Sequence, residues 1–157
     1  MTAYTIFHVA LSLIGIATGF VAVLGMVQGR LLPGWTKWFL AMTTATSVTG
    51  FGFPFVKFLP SHGVGIISLV ALGVAYWALY GRRLAGGWRL AYVVTAVLSQ
   101  YLNVFVLVVQ MFLKIPALKA LAPNQTEPPF AIAQGVVLVA FLALGYLAVR
   151  RFRRAGA

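Results

Sequence analysis

Five long apolar runs, separated by short charged or Pro/Gly-containing breaks, dominate the pattern of hydrophobic and polar positions along the chain. Each run has about 18–24 residues, and crossing a hydrocarbon core of about 30 Å takes about 20. Because lipid offers no hydrogen bonds to the backbone, such runs form helices. The runs are Tyr4 to Val27, Trp38 to Val56, Gly63 to Tyr80, Leu90 to Leu113 and Phe130 to Val149. We therefore expect an all-α fold, a single integral membrane domain over residues 1–157 built as a five-transmembrane-helix bundle.

The second run is the weakest, because five Thr and Ser residues between positions 43 and 49 dilute it. The distribution of basic residues favours counting it as a span. With five spans one side of the membrane receives nine basic residues and the other three, whereas without the second span the split is 5 against 7. The nine are Arg30, Lys37, Arg82, Arg83, Arg89, Arg150, Arg151, Arg153 and Arg154; the three are Lys57, Lys114 and Lys119. Because cytoplasmic loops carry the excess of Lys and Arg, we predict a bacterial inner-membrane protein with its N-terminus out and its C-terminus in.

Composition supports a membrane location and removes several classes of chemistry. Hydrophobic residues make up 62% of the chain and charged residues 8%, which excludes a water-soluble globule. The net charge of +11 would suggest nucleic acid in a soluble protein, but here the basic residues flank apolar runs, so we expect no nucleic-acid partner. The absence of Cys excludes disulfides and thiolate metal sites. With Glu127 as the only carboxylate, neither a paired-carboxylate mechanism nor an acidic cation cage is possible.

A stripe of polar and small residues runs along one face of the first predicted helix. Tyr4, His8, Ser12, Gly15 and Gly19 follow helical spacing. The two glycines form a GxxxG pattern, which is typical of close helix packing. A histidine inside a membrane span is a functional-site hypothesis in its own right, so two interpretations of the stripe stay open.

A second polar stripe lies on the fourth predicted helix. Ser99, Asn103, Gln110 and Lys114 share a face, with Gln100 beside it. Since lipid would penalise these side chains, we expect the stripe to face the bundle interior. It serves either hydrogen bonding between helices or the lining of a ligand cavity.

Most of the scarce polar side chains fall in or near the half of the bundle that the topology places outside. Convergent polar groups in an apolar fold indicate a binding site. The candidate ligand-binding residues are Tyr4, His8, His62, Asn103, Gln110, Lys114 and Gln134; we assign no catalytic residue. Two other features have structural interpretations: the segment from Thr49 to Phe55, whose Gly and Pro residues should kink or unwind the second helix, and Glu127, which suits the positive end of the fifth helix.

Two stretches carry a resemblance to a group of proteins: residues 46–55, TSVTGFGFPF, and residues 128–134, PPFAIAQ. In these stretches the chain resembles uncharacterised small multi-span inner-membrane proteins of proteobacteria. The resemblance implies a location and no activity.

Three functional hypotheses follow. The first is a protein that binds a small hydrophobic or lipid-like molecule, or a membrane-protein subunit, in a polar-lined cavity near the periplasmic face. The second is a b-type haem or redox protein with His8 and His62 as axial ligands, since two imidazoles suffice for such a haem. The third is a structural accessory subunit of a membrane complex. An enzyme has few options here, with Glu127 and a histidine as the only acid–base pair.

Overall fold

The computed structural model describes residues 2–54, 57 and 60–155. All regular structure within these residues is helical, which confirms the expected all-α fold. The helices are α1 (Ala3–Val27), α2 (Pro33–Gly50), α3 (Pro60–Tyr76), α4 (Trp88–Lys114), α5 (Pro116–Leu121) and α6 (Pro128–Ala155). A π-helical turn over Trp77–Gly81 extends α3 towards the loop before α4.

By length and composition, four segments of the described chain can cross a membrane: Ala3–Val27, His62–Gly81, Trp88–Lys114 and Pro128–Phe152. They support a multi-pass membrane protein. α2 is not among them, because Lys37, the Pro33–Gly34 start and several Thr and Ser residues all lower its mean hydropathy. The short helix α5 lies between two of the four segments and packs against α4.

Helix α2 is displaced along the chain from the second apolar run, Trp38 to Val56. It begins earlier because Pro33 occupies its first turn, where a missing N–H costs no hydrogen bond. It ends at Gly50, ahead of Gly52 and Pro54, so these residues terminate the helix instead of kinking it. Residues 55 and 56, the end of the predicted span, lie outside the described residues.

α1 and α2 form an antiparallel hairpin that is in contact along its whole length. Near the connecting turn, a side chain on Gly25 would touch Leu32. In the middle of α1, a Cβ on Gly15 would lie 3.3 Å from Thr43 Oγ1. At the far end, Tyr4 and His8 reach Thr49. The GxxxG glycines therefore lie in the interface between α1 and α2. Gly19 also lets α4 pack closely, because the Gln100 side chain lies against it.

The two halves of the bundle are packed differently. The buried apolar core is concentrated in the half that holds the end of α1, the start of α2 and α4, and the end of α6; we name it the closed half. Its largest fully buried side chains are Met26, Phe39, Leu40, Leu72, Tyr92 and Phe152. In the opposite half, the open half, residues 101–110 of α4 are all partly exposed. The candidate site residues lie in or towards this less tightly packed half.

Candidate functional site

Two side chains of α1 meet the C-terminal end of α2 in the open half. The Tyr4 hydroxyl donates a hydrogen bond to the Thr49 carbonyl oxygen at 2.5 Å. His8 Nδ1 lies 2.7 Å from Thr49 Oγ1. The ring of Phe53 meets both aromatic side chains edge-on, at centroid distances of 5.0 Å from Tyr4 and 5.2 Å from His8. We name Tyr4, His8, Thr49 and Phe53 the His8 cluster.

The turn after α2 makes this contact possible. The Gly52 N–H donates to the Thr49 carbonyl at 3.0 Å, so the chain turns back at the helix end. A Cβ on Gly52 would overlap the Tyr4 hydroxyl. Glycine is therefore the residue that lets α1 approach, and the turn carries Phe53 onto the two rings of α1.

The hydrogen bonds of Thr49 assign the tautomer of His8. The single hydroxyl proton of Thr49 goes to the Ala45 carbonyl, 2.7 Å away, with the Thr46 carbonyl at 3.2 Å. With the proton on the Ala45 carbonyl, Thr49 Oγ1 accepts a hydrogen bond from the N–H of His8 Nδ1. A neutral His8 therefore presents a lone pair on Nε2, and Nε2 makes no hydrogen bond within the described part of the chain. The side chain is half-buried, so the protein fixes one ring nitrogen and leaves the other available.

The polar stripe of α4 divides into a buried part and an open part. Gln100 is fully buried, and its Nε2 donates to the Ile16 carbonyl of α1 at 2.9 Å. Asn103 Nδ2 donates to Thr43 Oγ1 of α2 at 3.1 Å and lies 3.4 Å from Gln100 Oε1. Ser99 bonds only to the Thr95 carbonyl of its own helix. This part of the stripe therefore forms hydrogen bonds between helices. Of its three residues, Ser99 and Gln100 are buried and Asn103 is partly exposed.

Farther along α4 the candidate residues are more exposed. Gln110 is partly exposed, and Lys114, the last residue of the helix, is exposed. Asn103 and Gly15 both adjoin Thr43, whereas Gln100 adjoins Gly19, so α4 runs antiparallel to α1 and Lys114 lies at the same end of the molecule as His8. Gln134 Nε2 of α6 donates to the Phe105 carbonyl at 3.1 Å. Its Oε1 is buried and has no hydrogen-bond partner among the described residues.

His62 lies at the same end as His8 but belongs to α3. Its side chain is buried, and its ring lies 5.8 Å from that of Phe51. His8 packs on Phe53, two residues farther along the same turn. Across the residues that the structure describes, no three His, Asp or Glu side chains come together to hold a metal ion.

Glu127 shapes the loop that leads into α6. Its carboxylate accepts hydrogen bonds from the Asn124 N–H, at 3.2 and 3.3 Å, and from the Thr126 N–H at 3.0 Å. Desolvation raises the pKa of this carboxyl, but the N–H groups of Glu127, Asn124 and Thr126 outweigh it and hold the pKa below its ordinary value of 4.5. An ionised, hydrogen-bonded carboxylate of this kind organises the loop and is a poor proton donor.

Sequence reasoning missed the residues that link these elements. The sequence predicts that carbonyls freed in the segment from Thr49 to Phe55 are available to a ligand or a neighbouring side chain, but it does not predict that Thr49 and Phe53 contact Tyr4 and His8. The available signal was the length of the turn between α1 and α2: in an antiparallel hairpin, residues at equal distances from the turn lie opposite each other. Thr43 follows the same rule, since it lies opposite Gly15 in the hairpin. It also accepts a hydrogen bond from Asn103 of α4.

Comparisons with known proteins leave the site to be interpreted on its own chemistry. No protein-family model, no curated protein and no solved structure matches the chain.

Proposed function

We propose that this protein is a five-span bacterial inner-membrane protein that binds a small hydrophobic or lipid-like molecule at its periplasmic end through His8. One observation carries the proposal: Thr49 fixes Nδ1 of His8, while Nε2 has no hydrogen-bond partner among the described residues. This arrangement is typical of an imidazole that accepts a hydrogen bond from a ligand or coordinates a metal.

The position of α2 supports a fifth span. The helix has 18 residues and is therefore about 27 Å long, close to the hydrocarbon core of about 30 Å. It runs beside α1 from Leu32 to Thr49, and α1 is itself apolar enough to cross the membrane. A helix paired with α1 along this length occupies the same depth of the bilayer.

The threonines of α2 do not conflict with a membrane position. Thr44, Thr46 and Thr49 each donate to the carbonyl four residues earlier, at 2.7–2.8 Å. Their hydroxyl protons are therefore satisfied within the helix, which removes most of the cost of placing them in lipid. Combined with the nine-to-three distribution of basic residues, this favours the N-terminus out and the C-terminus in.

The open half offers the rest of a binding site. Tyr4 and Phe53 present ring surfaces next to His8, and residues 101–110 of α4 are all partly exposed. Gln134 Oε1 is a second acceptor that has no donor among the described residues. A ligand that carries a hydroxyl or amide donor on an apolar body would complement these groups.

The substitution His8→Gln tests the proposal. It keeps approximate size and hydrogen bonding but removes the imidazole acceptor that Thr49 positions. We expect protein extracted from native membranes to lose its co-purifying small molecules, measured by native mass spectrometry. Ser12→Ala is the matched control, because Ser12 shares the α1 face but bonds only to the His8 carbonyl of its own helix. A folded His8→Gln protein that retains every molecule bound by the parent would assign His8 a structural role.

A b-type haem is the second candidate, and the same unoccupied Nε2 favours it. The second axial ligand would be His62, whose ring packs on Phe51, two residues from the ring that His8 contacts. The absorption spectrum of the purified protein separates the two functions. A Soret band that His8→Gln and His62→Gln each abolish would support haem; its absence from protein isolated from haem-replete cells would leave the small-molecule site.

A further inference from the structure

The end of the closed half carries three arginines whose guanidinium groups are positioned by contacts with aromatic residues. Arg82 lies over the Trp88 ring, 5.8 Å from its centroid. Arg89 lies 4.9 Å from the centroid of Phe152 and donates to its carbonyl oxygen at 3.5 Å. Arg150 donates to the Tyr146 hydroxyl at 3.2 Å. We name this surface the arginine end.

The arginine end is built from a fixed loop and two helix ends. The loop before α4 holds Arg83 and Leu84 at φ values of 50° and 60°, in the left-handed region. Leu84 packs against the core, and its N–H donates to the Ala78 carbonyl at 2.9 Å, which offsets the cost of that conformation. The contact of Arg89 with Phe152 brings the start of α4 against the end of α6. Arg150 and Arg151 are exposed near the end of α6; Arg150 lies one turn beyond Tyr146 on the same face, whereas Phe152, with Arg89 against it, lies on the other side of the helix.

No Asp or Glu side chain lies at this surface to neutralise it. The chain's only acidic residue, Glu127, precedes α6, at the opposite end of that helix from Arg150. Each guanidinium has five N–H donors, and Arg150 directs one of them to Tyr146. Arg150 is exposed, so its remaining donors are accessible to a ligand, and guanidinium donors suit phosphate oxygens.

An apolar strip on α6 leads to the same arginine. Ile132, Val136, Val139, Leu142 and Tyr146 follow helical spacing, and each side chain is more than 60% exposed. The first part of this strip lines an open groove of about 580 Å³ beside Gly135 and Ala140. From Ile132 to Arg150 the strip is about 27 Å long. It combines a surface for hydrocarbon with a cationic group at one end.

We propose that the arginine end and the adjoining strip of α6 form a binding site for an anionic phospholipid. The phosphodiester is held by Arg150 and Arg151, and an acyl chain lies along Val139, Leu142 and Tyr146. The geometry matches a lipid because charge and hydrocarbon surface meet at Tyr146, whose ring is exposed while its hydroxyl accepts from Arg150. This site is separate from the His8 cluster and does not depend on the function proposed there.

The test measures lipid binding to the full chain, purified in a neutral detergent, by titration under native mass spectrometry. The probes are phosphatidylglycerol and phosphatidylcholine with identical acyl chains. We expect tighter binding of phosphatidylglycerol. The double substitution Arg150→Gln/Arg151→Gln should weaken its binding about 25-fold, because each cation near an anionic lipid contributes about a factor of five.

A matched variant separates a specific site from net charge. Lys57→Gln/Lys119→Gln removes two exposed cations from the other end of the molecule and should leave phosphatidylglycerol binding unchanged. Equal weakening in both double variants would overturn the proposal, as would equal affinity of the parent for the two lipids. Soluble glycerophosphate provides a further arm: if it displaces the lipid at concentrations equal to those of the lipid itself, the strip contributes nothing and the lipid assignment is wrong. Size-exclusion profiles of all variants verify that they fold.

Discussion

At the scale of single residues, Gly19 is a position in the bundle interior where packing leaves no room for a side chain. A Cβ there would overlap the Gln100 amide oxygen and lie 2.9 Å from Phe39 Cδ1, and both neighbours are fully buried. We expect Gly19→Ala to destabilise the protein by about 1–3 kcal/mol, the usual range for overpacking. Gly135→Ala is the control, because nothing lies within 4 Å of its added carbon. Unfolding in mixed micelles measures both, and equal stabilities would contradict the close packing at Gly19.

Thr49 and Thr46 allow a matched comparison of the His8 cluster. Both hydroxyls donate to the carbonyl four residues earlier, but only Thr49 also accepts from His8. Thr49→Val should therefore cost about 1 kcal/mol more than Thr46→Val, because it leaves a half-buried imidazole N–H without its acceptor. It should also reduce retention of small molecules, which native mass spectrometry measures. If the two variants were indistinguishable in both measurements, Thr49 would not orient His8.

The loop before α6 gives a pH prediction. Since the pKa of Glu127 in the folded protein lies below 4.5, its hydrogen bonds persist above that pH and are lost as the pH falls through the lowered pKa. Hydrogen exchange at the Asn124 and Thr126 amides should therefore remain slow down to about pH 4.5. The Gln125 amide is the internal control, because it donates to the Ala122 carbonyl. Glu127→Gln should accelerate exchange at the Asn124 and Thr126 amides and leave the Gln125 amide unchanged. Unchanged rates at all three amides would show that the carboxylate does not stabilise the loop.

At the scale of helices, the polar groups of α4 join three elements. Gln100 donates a hydrogen bond to α1 and Asn103 donates one to α2, so one turn of α4 is bonded to both helices of the hairpin. Asn103→Leu should destabilise the bundle by about 0.6–2 kcal/mol, the range measured for hydrogen bonds between membrane helices. Val94→Leu, at an exposed position of the same helix, should change little. Full lipid exposure of a probe at position 103 would contradict this placement.

The helices were largely predictable from sequence, whereas their register was not. Apolar runs locate α1, α4 and α6 because each buries or exposes mainly hydrocarbon along its length. The limits of α2 were harder to predict, since hydropathy treats Lys37 as a loop residue although it lies within the helix that Pro33 begins. Helical spacing correctly grouped Tyr4 with His8, but their partner Thr49 depends on the geometry of a turn 20 residues away. Pattern along one helix cannot supply that distance.

At the scale of the whole molecule, packing and polarity are distributed unevenly. The closed half contains the apolar core and nine basic residues near its end, whereas the open half contains both histidines and the one carboxylate. A tight core needs matched side chains, but a ligand site needs groups that the protein leaves unfilled, such as His8 Nε2 and Gln134 Oε1. The separation is incomplete, because the Tyr92 hydroxyl in the closed core is also buried without a hydrogen-bond partner among the described residues, at a cost in stability.

The topology gives the prediction that tests this whole arrangement. If α2 crosses the membrane beside α1, reporter fusions after Gln28 and Gly81 are cytoplasmic and a fusion after Ser61 is periplasmic. The chain then crosses once between Gln28 and Ser61 and once more between Ser61 and Gly81. If α2 does not cross, the fusions after Gln28 and Ser61 lie on the same side. We expect the first pattern, since α1 and α2 stay in contact from Gly25 and Leu32 at the connecting turn to Tyr4 and Gly52 at the far end. Paired fusions with an enzyme active only in the periplasm and a fluorophore that matures only in the cytoplasm measure each position. A cytoplasmic signal after Ser61 would reject the five-span bundle and place the His8 cluster elsewhere in the membrane.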